Sequence, residues 1–200
     1  IKKQMSLNTT NKYLSHLKKV VNLAIQNEWL LRNPFSNFKT KNEDVEIERL
    51  TENEISLIAN LGLTNPSHTR VRDIFVFCCF SGLSYIDIKN LKQNDITIGI
   101  KGANWIRKTR QKTGGSFRIK LFKITSDLLN KYRSDSQFAF PVSSNQNMNR
   151  ILKKITSISG IEKPLSMHMA RHTFATYAMT KNVSIETISQ MLGHKSIKST

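Results

Sequence analysis

The 200-residue chain is 38% hydrophobic and 22% charged, with 8 glycines and 4 prolines, a balance that excludes a disordered, collagen-like or low-complexity protein and allows one main domain plus part of another. Its longest apolar run, Ile74 to Phe80, falls far short of the roughly 20 residues of a membrane span, and no charged-then-apolar leader opens the chain, so a soluble cytoplasmic protein trimmed upstream of Ile1 is expected. Lys and Arg number 31 against 14 Asp and Glu, a net charge of +17 spread from Lys2 to Lys198; such self-repulsion is retained to meet a polyanion, and its spread favours nucleic acid over a membrane surface.

Taken in chain order, Asn8, Thr9 and Thr10 offer N-caps to a helix whose apolar residues Leu14, Leu17, Val21, Ala24 and Ile25 recur at helical spacing. This helix runs out through Trp29, Leu30 and Leu31 into Asn33-Pro34, a helix-breaking pair. The charged stretch Lys39 to Glu48 lacks apolar periodicity and reads as a linker, with 41–49 between a first unit over 1–40 and a second over 50–200. A capping box of Thr51 and Glu54 opens the second unit. The segment Val71 to Phe80 is too continuous to have a wet face and reads as a buried helix stopped by Gly82. Cys78 and Cys79 lie inside it as small buried hydrophobes; without CxxC spacing they do not make a zinc site.

A short helix from Ser84 towards Leu91 is predicted next, then three strands at Ile96 to Ile100, Asn104 to Thr109 and Phe117 to Leu121. The last two are joined by a turn containing Gly114-Gly115. Helical patterns resume at Ser126 to Tyr132, Asn147 to Ile158, Met167 to Met179 and Ser184 to Leu192, the last stopped by Gly193. The fold class is therefore mainly α with a small antiparallel β-sheet, an α+β arrangement.

Three local features carry chemistry. His168 and Arg171 stand three apart on one helix face, where an imidazole and a guanidinium can hold two oxygens of one phosphate. His172 points about 100° away from Arg171 and reads as packed or solvated. His194 follows a helix stop in Leu192-Gly193-His194, and Lys112 sits at a hairpin tip where a long cation can reach into a groove.

In this order Ser81-Gly82-Leu83 leading into Asp87, Lys112, the block His168-Met-Ala-Arg171-His172-Thr-Phe-Ala-Thr176 and Leu192-Gly-His194 resemble the catalytic domain of tyrosine recombinases, the phage integrase family. The resemblance spans roughly Leu50 to Thr200, and residues 1–40 resemble the end of the helical core-binding domain that clamps DNA ahead of it. It implies site-specific recombination of double-stranded DNA, for integration or excision of a mobile element, through a 3′-phosphotyrosyl bond and with no metal or cofactor. It further implies a homotetramer on two DNA sites, cytoplasmic and associated with the nucleoid. By the same resemblance Arg171, His168 and His194 would bind phosphate oxygens, Lys112 would protonate the departing 5′-oxygen, and Asp87 would orient neighbouring cations.

Two departures stand out. The family's first arginine follows Gly-Leu, where this chain has Ser84, which forms an S-x-x-D box with Asp87 that caps the next helix. Arg110, two residues from Lys112 on an extended strand, is the candidate replacement, with a plain DNA-backbone contact as its alternative role. The nucleophilic tyrosine belongs shortly after Leu192-Gly-His194, beyond Thr200; Tyr13, Tyr85, Tyr132 and Tyr177 do not occupy that place. Rival readings are a catalytically inactive DNA-binding protein of the same fold and a type IB topoisomerase.

Overall fold

The structure is a computed structural model that describes residues 5–44, 46–99, 102–109 and 116–193. The chain divides into two compact units, Ile1–Glu46 and Ile47–Thr200.

The first unit is built on helix α1 (Leu7–Gln26). Its N-cap is Ser6, whose hydroxyl accepts from the Thr9 amide, so the cap falls two residues ahead of the predicted Asn8–Thr10 cluster. Its far end is tied off with Glu28 in the left-handed region (φ 59°). The Trp29 amide then returns to the Ala24 carbonyl and the Glu28 amide to that of Ile25, a Schellman closure. Leu14, Val21, Ala24 and Ile25 are half-buried, and Lys18 donates to the Phe38 carbonyl at 2.8 Å. Within the predicted linker, residues 41–43 are bonded back to α1. Asn8 exchanges two 2.9 Å hydrogen bonds with the Glu43 backbone, and Asn11 donates to the Lys41 carbonyl. The two asparagines thus use their amides as a substitute backbone for the segment beside the helix.

In the second unit both arms of the predicted capping box form: Thr51 accepts from the Glu54 amide and Glu54 accepts from the Thr51 amide, opening α2 (Glu52–Ala59). The buried run becomes α3 (Pro66–Ser81), which packs against α2 and, further along the chain, against α5 (Lys123–Lys131), α6 (Asn145–Ser159) and α7 (Met167–Thr180). That central position explains its sequence: Ile74 through Cys79 are all buried, leaving no face for polar residues. Burial pushes the Cys79 thiol well above its ordinary range, with Cys78 beside it adding to the effect, so the pair is inert core as its sequence setting implies.

Gly82 ends α3 with φ +64°. A Cβ there would lie 2.4 Å from Phe174, so both the backbone conformation and the close approach of α7 require glycine. After the short helix α4 (Tyr85–Lys89) and one turn of 3₁₀ helix over Gln93–Asp95, strands β1 (Ile96–Ile98), β2 (Asn104–Thr109) and β3 (Ser116–Lys120) form an antiparallel meander in that order. Ile106, Phe117 and Ile119 point into the core. Helix α8 (Ile185–Leu192) packs on α7 and β3.

One buried charge fixes the rear of this core. Asp73 on α3, 3% exposed, accepts from Arg72 at 2.8 Å, Lys131 at 2.7 Å and the Tyr132 hydroxyl at 2.8 Å. Burial alone would raise its carboxyl, but the bonds from Lys131, Tyr132 and Arg72 outweigh it and hold the group below the ordinary range. A depressed carboxyl contributes stability that is present above its unfolded value and lost as pH falls through the folded one. Asp73→Asn is therefore expected to cost about 2 kcal/mol in urea unfolding at neutral pH, with the gap from wild type closing as the pH falls into the acid range.

Candidate active site

Helix α7 carries the densest block of site residues. Ser166 caps it by accepting from the Met169 amide, and Asn149 of α6 accepts from the Met167 amide at 2.9 Å, so its first turn is fixed from two sides. Met169, Ala170, Thr173, Phe174 and Ala178 face the core. His168 is exposed, while Arg171, His172 and Thr176 are half-buried.

The Arg171 guanidinium donates to the Gly82 carbonyl at 3.0 Å and to the Leu192 carbonyl at 2.5 Å. These acceptors belong to the C-terminal ends of α3 and α8, where carbonyls lack intrahelical partners and carry negative partial charge. The two carbonyls fix the plane of the guanidinium, an orientation suited to an anionic ligand. Ser81-Gly82-Leu83 and Leu192-Gly193 are thereby joined to Arg171 through hydrogen bonds, and Gly82 matters twice, for its own turn and for the carbonyl it offers.

His168 meets His172, with Nε2 to Nε2 at 2.9 Å and the rings edge to face at 4.5 Å. This pairing was missed by the sequence reading, which compared His172 only with its neighbour Arg171. Residues four apart on a helix differ by only about 40° in direction, so the spacing His168 to His172 was itself the signal. Burial lowers the His172 imidazole below its ordinary value, and His168, Arg171 and Arg49 push the same way. Arg49 arrives from the segment ahead of α2. Its guanidinium donates to the Thr176 hydroxyl and to the Ile47 carbonyl, each at 3.4 Å, while the Leu50 amide donates to the Thr173 hydroxyl at 3.1 Å.

Ser84 serves as the N-cap of α4. Its oxygen accepts from the Asp87 amide at 3.4 Å and its hydroxyl donates to Asp87 Oδ2 at 2.5 Å, with Asp87 buried at 2% exposure. The predicted box is present, although its carboxylate takes the serine hydroxyl where the standard box would take the cap amide. Lys112, Arg110 and His194 lie outside the described residues, as does the predicted Gly114-Gly115 turn. Thr109 pairs with Ser116 across β2 and β3, so Arg110 and Lys112 fall in the sequence between two paired strand ends, and His194 directly follows the α8 cap Gly193 (φ 61°).

The outer face of the sheet is basic. Arg107 on β2 lies directly opposite Arg118 on β3, both exposed, and Lys120 on the same face is paired with Trp105. Like charges in direct cross-strand register are unfavourable in isolation, and an anionic partner removes the penalty.

Three of the four tyrosines are engaged by neighbours. Tyr85 donates to the Ser143 carbonyl, Tyr132 to Asp73, and Tyr177 packs edge to face against Phe80 at 5.0 Å and Phe122 at 5.7 Å. Tyr13 is exposed on α1 of the first unit. No helix among the described residues is long and apolar enough to cross a membrane.

A helical domain with a small antiparallel meander, an arginine held between two helix ends and a histidine one turn before it on the same helix define the class. Residues 48–200 match the Phage integrase family domain and residues 1–42 the Phage integrase SAM-like domain. The chain belongs to the phage integrase family. It is similar to the tyrosine recombinase XerC of Oceanobacillus iheyensis, 29% identical over 153 residues that cover 69% of this chain and 50% of that protein. It also resembles the tyrosine recombinase XerD of Listeria monocytogenes, 22% identical over 214 residues, 98% of this chain and 70% of that one. The matched regions thus span 50% and 70% of the length of these two relatives. In fold it is similar to a lambda integrase dimer bound to a COC′ core site, with a TM-score of 0.76 at 19% identity over 93% of this chain and 71% of that one. A second match is the Tn1549 transposon integrase in complex with circular intermediate DNA, with a TM-score of 0.71 at 19% identity over 98% of this chain and 74% of that one.

Proposed function

We propose that this chain forms part of a site-specific recombinase that cuts and rejoins double-stranded DNA of a mobile element through a 3′-phosphotyrosyl intermediate. The observation that carries the reading is Arg171, whose guanidinium is held by the Gly82 and Leu192 carbonyls within the motifs that the family shares. The net charge of +17 and the opposed Arg107 and Arg118 support a duplex as partner, since phosphate contacts position a protein on DNA whatever its sequence. The lambda and Tn1549 integrase structures, which hold DNA, support the same partner.

In this mechanism a tyrosine gives up its hydroxyl proton to water and its oxygen attacks the scissile phosphorus, the bond to the 5′-oxygen breaks and a 3′-phosphotyrosyl bond forms. Arg171, His168 and His194 stabilise the added charge on the non-bridging oxygens. Lys112 gives its proton to the departing 5′-oxygen, and Asp87 orients the cations around it. Arg110 supplies the guanidinium that Ser84 lacks. The freed 5′-hydroxyl of another strand then reverses the step, displacing the tyrosine. The family resemblance supports a homotetramer on two DNA sites as the working form, acting in the cytoplasm on nucleoid DNA. The first unit serves as the end of a helical core-binding domain and the second as the catalytic domain.

A suicide duplex nicked beside the scissile phosphate tests this reading. The full-length protein is expected to form an adduct that survives denaturant and EDTA, because fixed cations supply the electrostatic stabilisation. Residues 1–200 alone are expected to bind the duplex without an adduct, since none of Tyr13, Tyr85, Tyr132 and Tyr177 is placed as nucleophile. An adduct from residues 1–200, or a strict magnesium requirement in the full-length protein, counts against the mechanism.

A further inference from the structure

We infer that His172 is a positioning residue for His168, holding its Nε2 so that Nδ1 is the ring nitrogen left to donate to a DNA phosphate. The inference rests on the recombinase reading above, and it adds a residue to which that reading gives no role.

The geometry is an Nε2 to Nε2 contact of 2.9 Å between rings set edge to face. A nitrogen–nitrogen hydrogen bond needs one protonated partner and one lone pair, so the two Nε2 atoms share a single proton. If His172 donates, neutral His168 carries its own proton on Nδ1. If His168 is charged, it donates through Nε2 to His172 and again presents Nδ1–H. A third arrangement, neutral His168 donating through Nε2, would turn a bare Nδ1 lone pair towards the phosphate and is disfavoured beside an anion; the other two leave the exposed imidazole of His168 a donor on the side away from the pair, and both hold the ring in one orientation. A histidine that is free to rotate would have to give up that freedom each time it bound an anion.

The charged and titratable groups facing His172 among the described residues are His168 and Arg171 on its own helix and Arg49 from the segment ahead of α2. Burial comes first and these three follow, all opposing a charge on His172, so His172 is held as the neutral member of the pair. The supporting frame is rigid on the far side. The Leu50 amide to Thr173 and the Arg49 guanidinium to Thr176 tie this segment to α7, and the Thr176 hydroxyl returns to the His172 carbonyl at 3.3 Å. A second proton entering the pair leaves no lone pair between the two Nε2 atoms. Cleavage is therefore expected to fall in acid, below the ordinary imidazole range, as His172 itself takes up a proton.

The test uses the full-length protein with His172→Phe, which keeps a flat ring without nitrogen, and His172→Gln, which returns an amide near the position of Nε2. Adduct formation on the nicked duplex is expected to slow at least tenfold in His172→Phe, with affinity for the duplex within about twofold of wild type, because binding draws on many phosphate contacts. His172→Gln should recover most of the rate, and the acid limb should disappear in His172→Phe. Nitrogen NMR of the wild-type imidazoles should show His168 hydrogen-bonded at Nε2, a readout that needs no cleavage and no variant to fold. A wild-type rate in His172→Phe, or a His168 Nε2 without a hydrogen bond, overturns the inference. Should the wild-type protein form no adduct at all, the recombinase reading falls and takes the catalytic role of His172 with it, while the nitrogen spectrum separately decides whether the two rings are paired.

Discussion

Arg171→Lys in the full-length protein is expected to slow strand cleavage by roughly 10²- to 10³-fold, the cost of removing one well-placed charge-stabilising donor. The substitution keeps a positive charge, so simple charge counting predicts little effect; geometry predicts otherwise. Arg171 bridges the Gly82 and Leu192 carbonyls from two different guanidinium nitrogens, and only a planar fork can span two helix ends and still present an edge to a phosphate. An ammonium at the same place can satisfy one carbonyl or the phosphate in a fixed direction, but it cannot hold all three. The loss should be partly structural, on the order of 1–3 kcal/mol for the bonds to the two carbonyls, and thermal unfolding measures that part. Single-turnover adduct formation at saturating protein measures the remainder, since saturation removes any change in affinity. A variant that is less stable yet cleaves at the wild-type rate would show that Arg171 is only a clamp between α3 and α8.

Much of the fold could be read from local sequence because its elements announce themselves by short-range chemistry. Thr51 with Glu54, Ser84 with Asp87, and Gly82 and Gly193 as left-handed stops each act within one helical turn, and the three strands emerged in order with the middle one at its predicted bounds. The start of α1 was harder, because Ser6, Asn8, Thr9 and Thr10 are all capable caps within five positions and apolar periodicity becomes clear only from Leu14. Ser6 prevails by reaching the Thr9 amide. The start of α5 was missed because its N-cap position is Phe122, with no side-chain cap to signal it.

The site divides along the same line. Arg171 stands out as a candidate anion-binding residue from type and spacing, but what orients it are carbonyls 89 and 21 positions away, and carbonyls leave no mark on a sequence. The approach of Arg49 to Thr176 spans 127 positions and was equally invisible. Lys112 and His194 follow turn signals that many surface residues share, so only the resemblance to the family gave them roles. The His168 to His172 pairing was different in kind: its four-residue spacing was present and was passed over.

The chain's departure from its family at Ser84 supplies the second large effect. In the full-length protein Arg110→Ala is expected to bring cleavage down by a further roughly 10²-fold or more, leaving the site without a replacement for the family's first arginine, while duplex affinity stays nearly intact. Returning a guanidinium by Ser84→Arg in that background should restore part of the rate. Full recovery is not expected, because Ser84 now caps α4 and donates to the buried Asp87 carboxylate at 2.5 Å. Losing that cap costs about 1 kcal/mol, and an arginine at the same position would divide its donors between Asp87 and the phosphate. Ser84→Arg alone, with Arg110 retained, should therefore cleave no faster than wild type and unfold at a slightly lower urea concentration. Rates from the nicked duplex and affinities from fluorescence anisotropy separate the outcomes. Parallel losses of affinity and cleavage in Arg110→Ala would make Arg110 an ordinary backbone contact, and an absence of rescue by Ser84→Arg would place the missing charge elsewhere than beside Gly82 and Leu83.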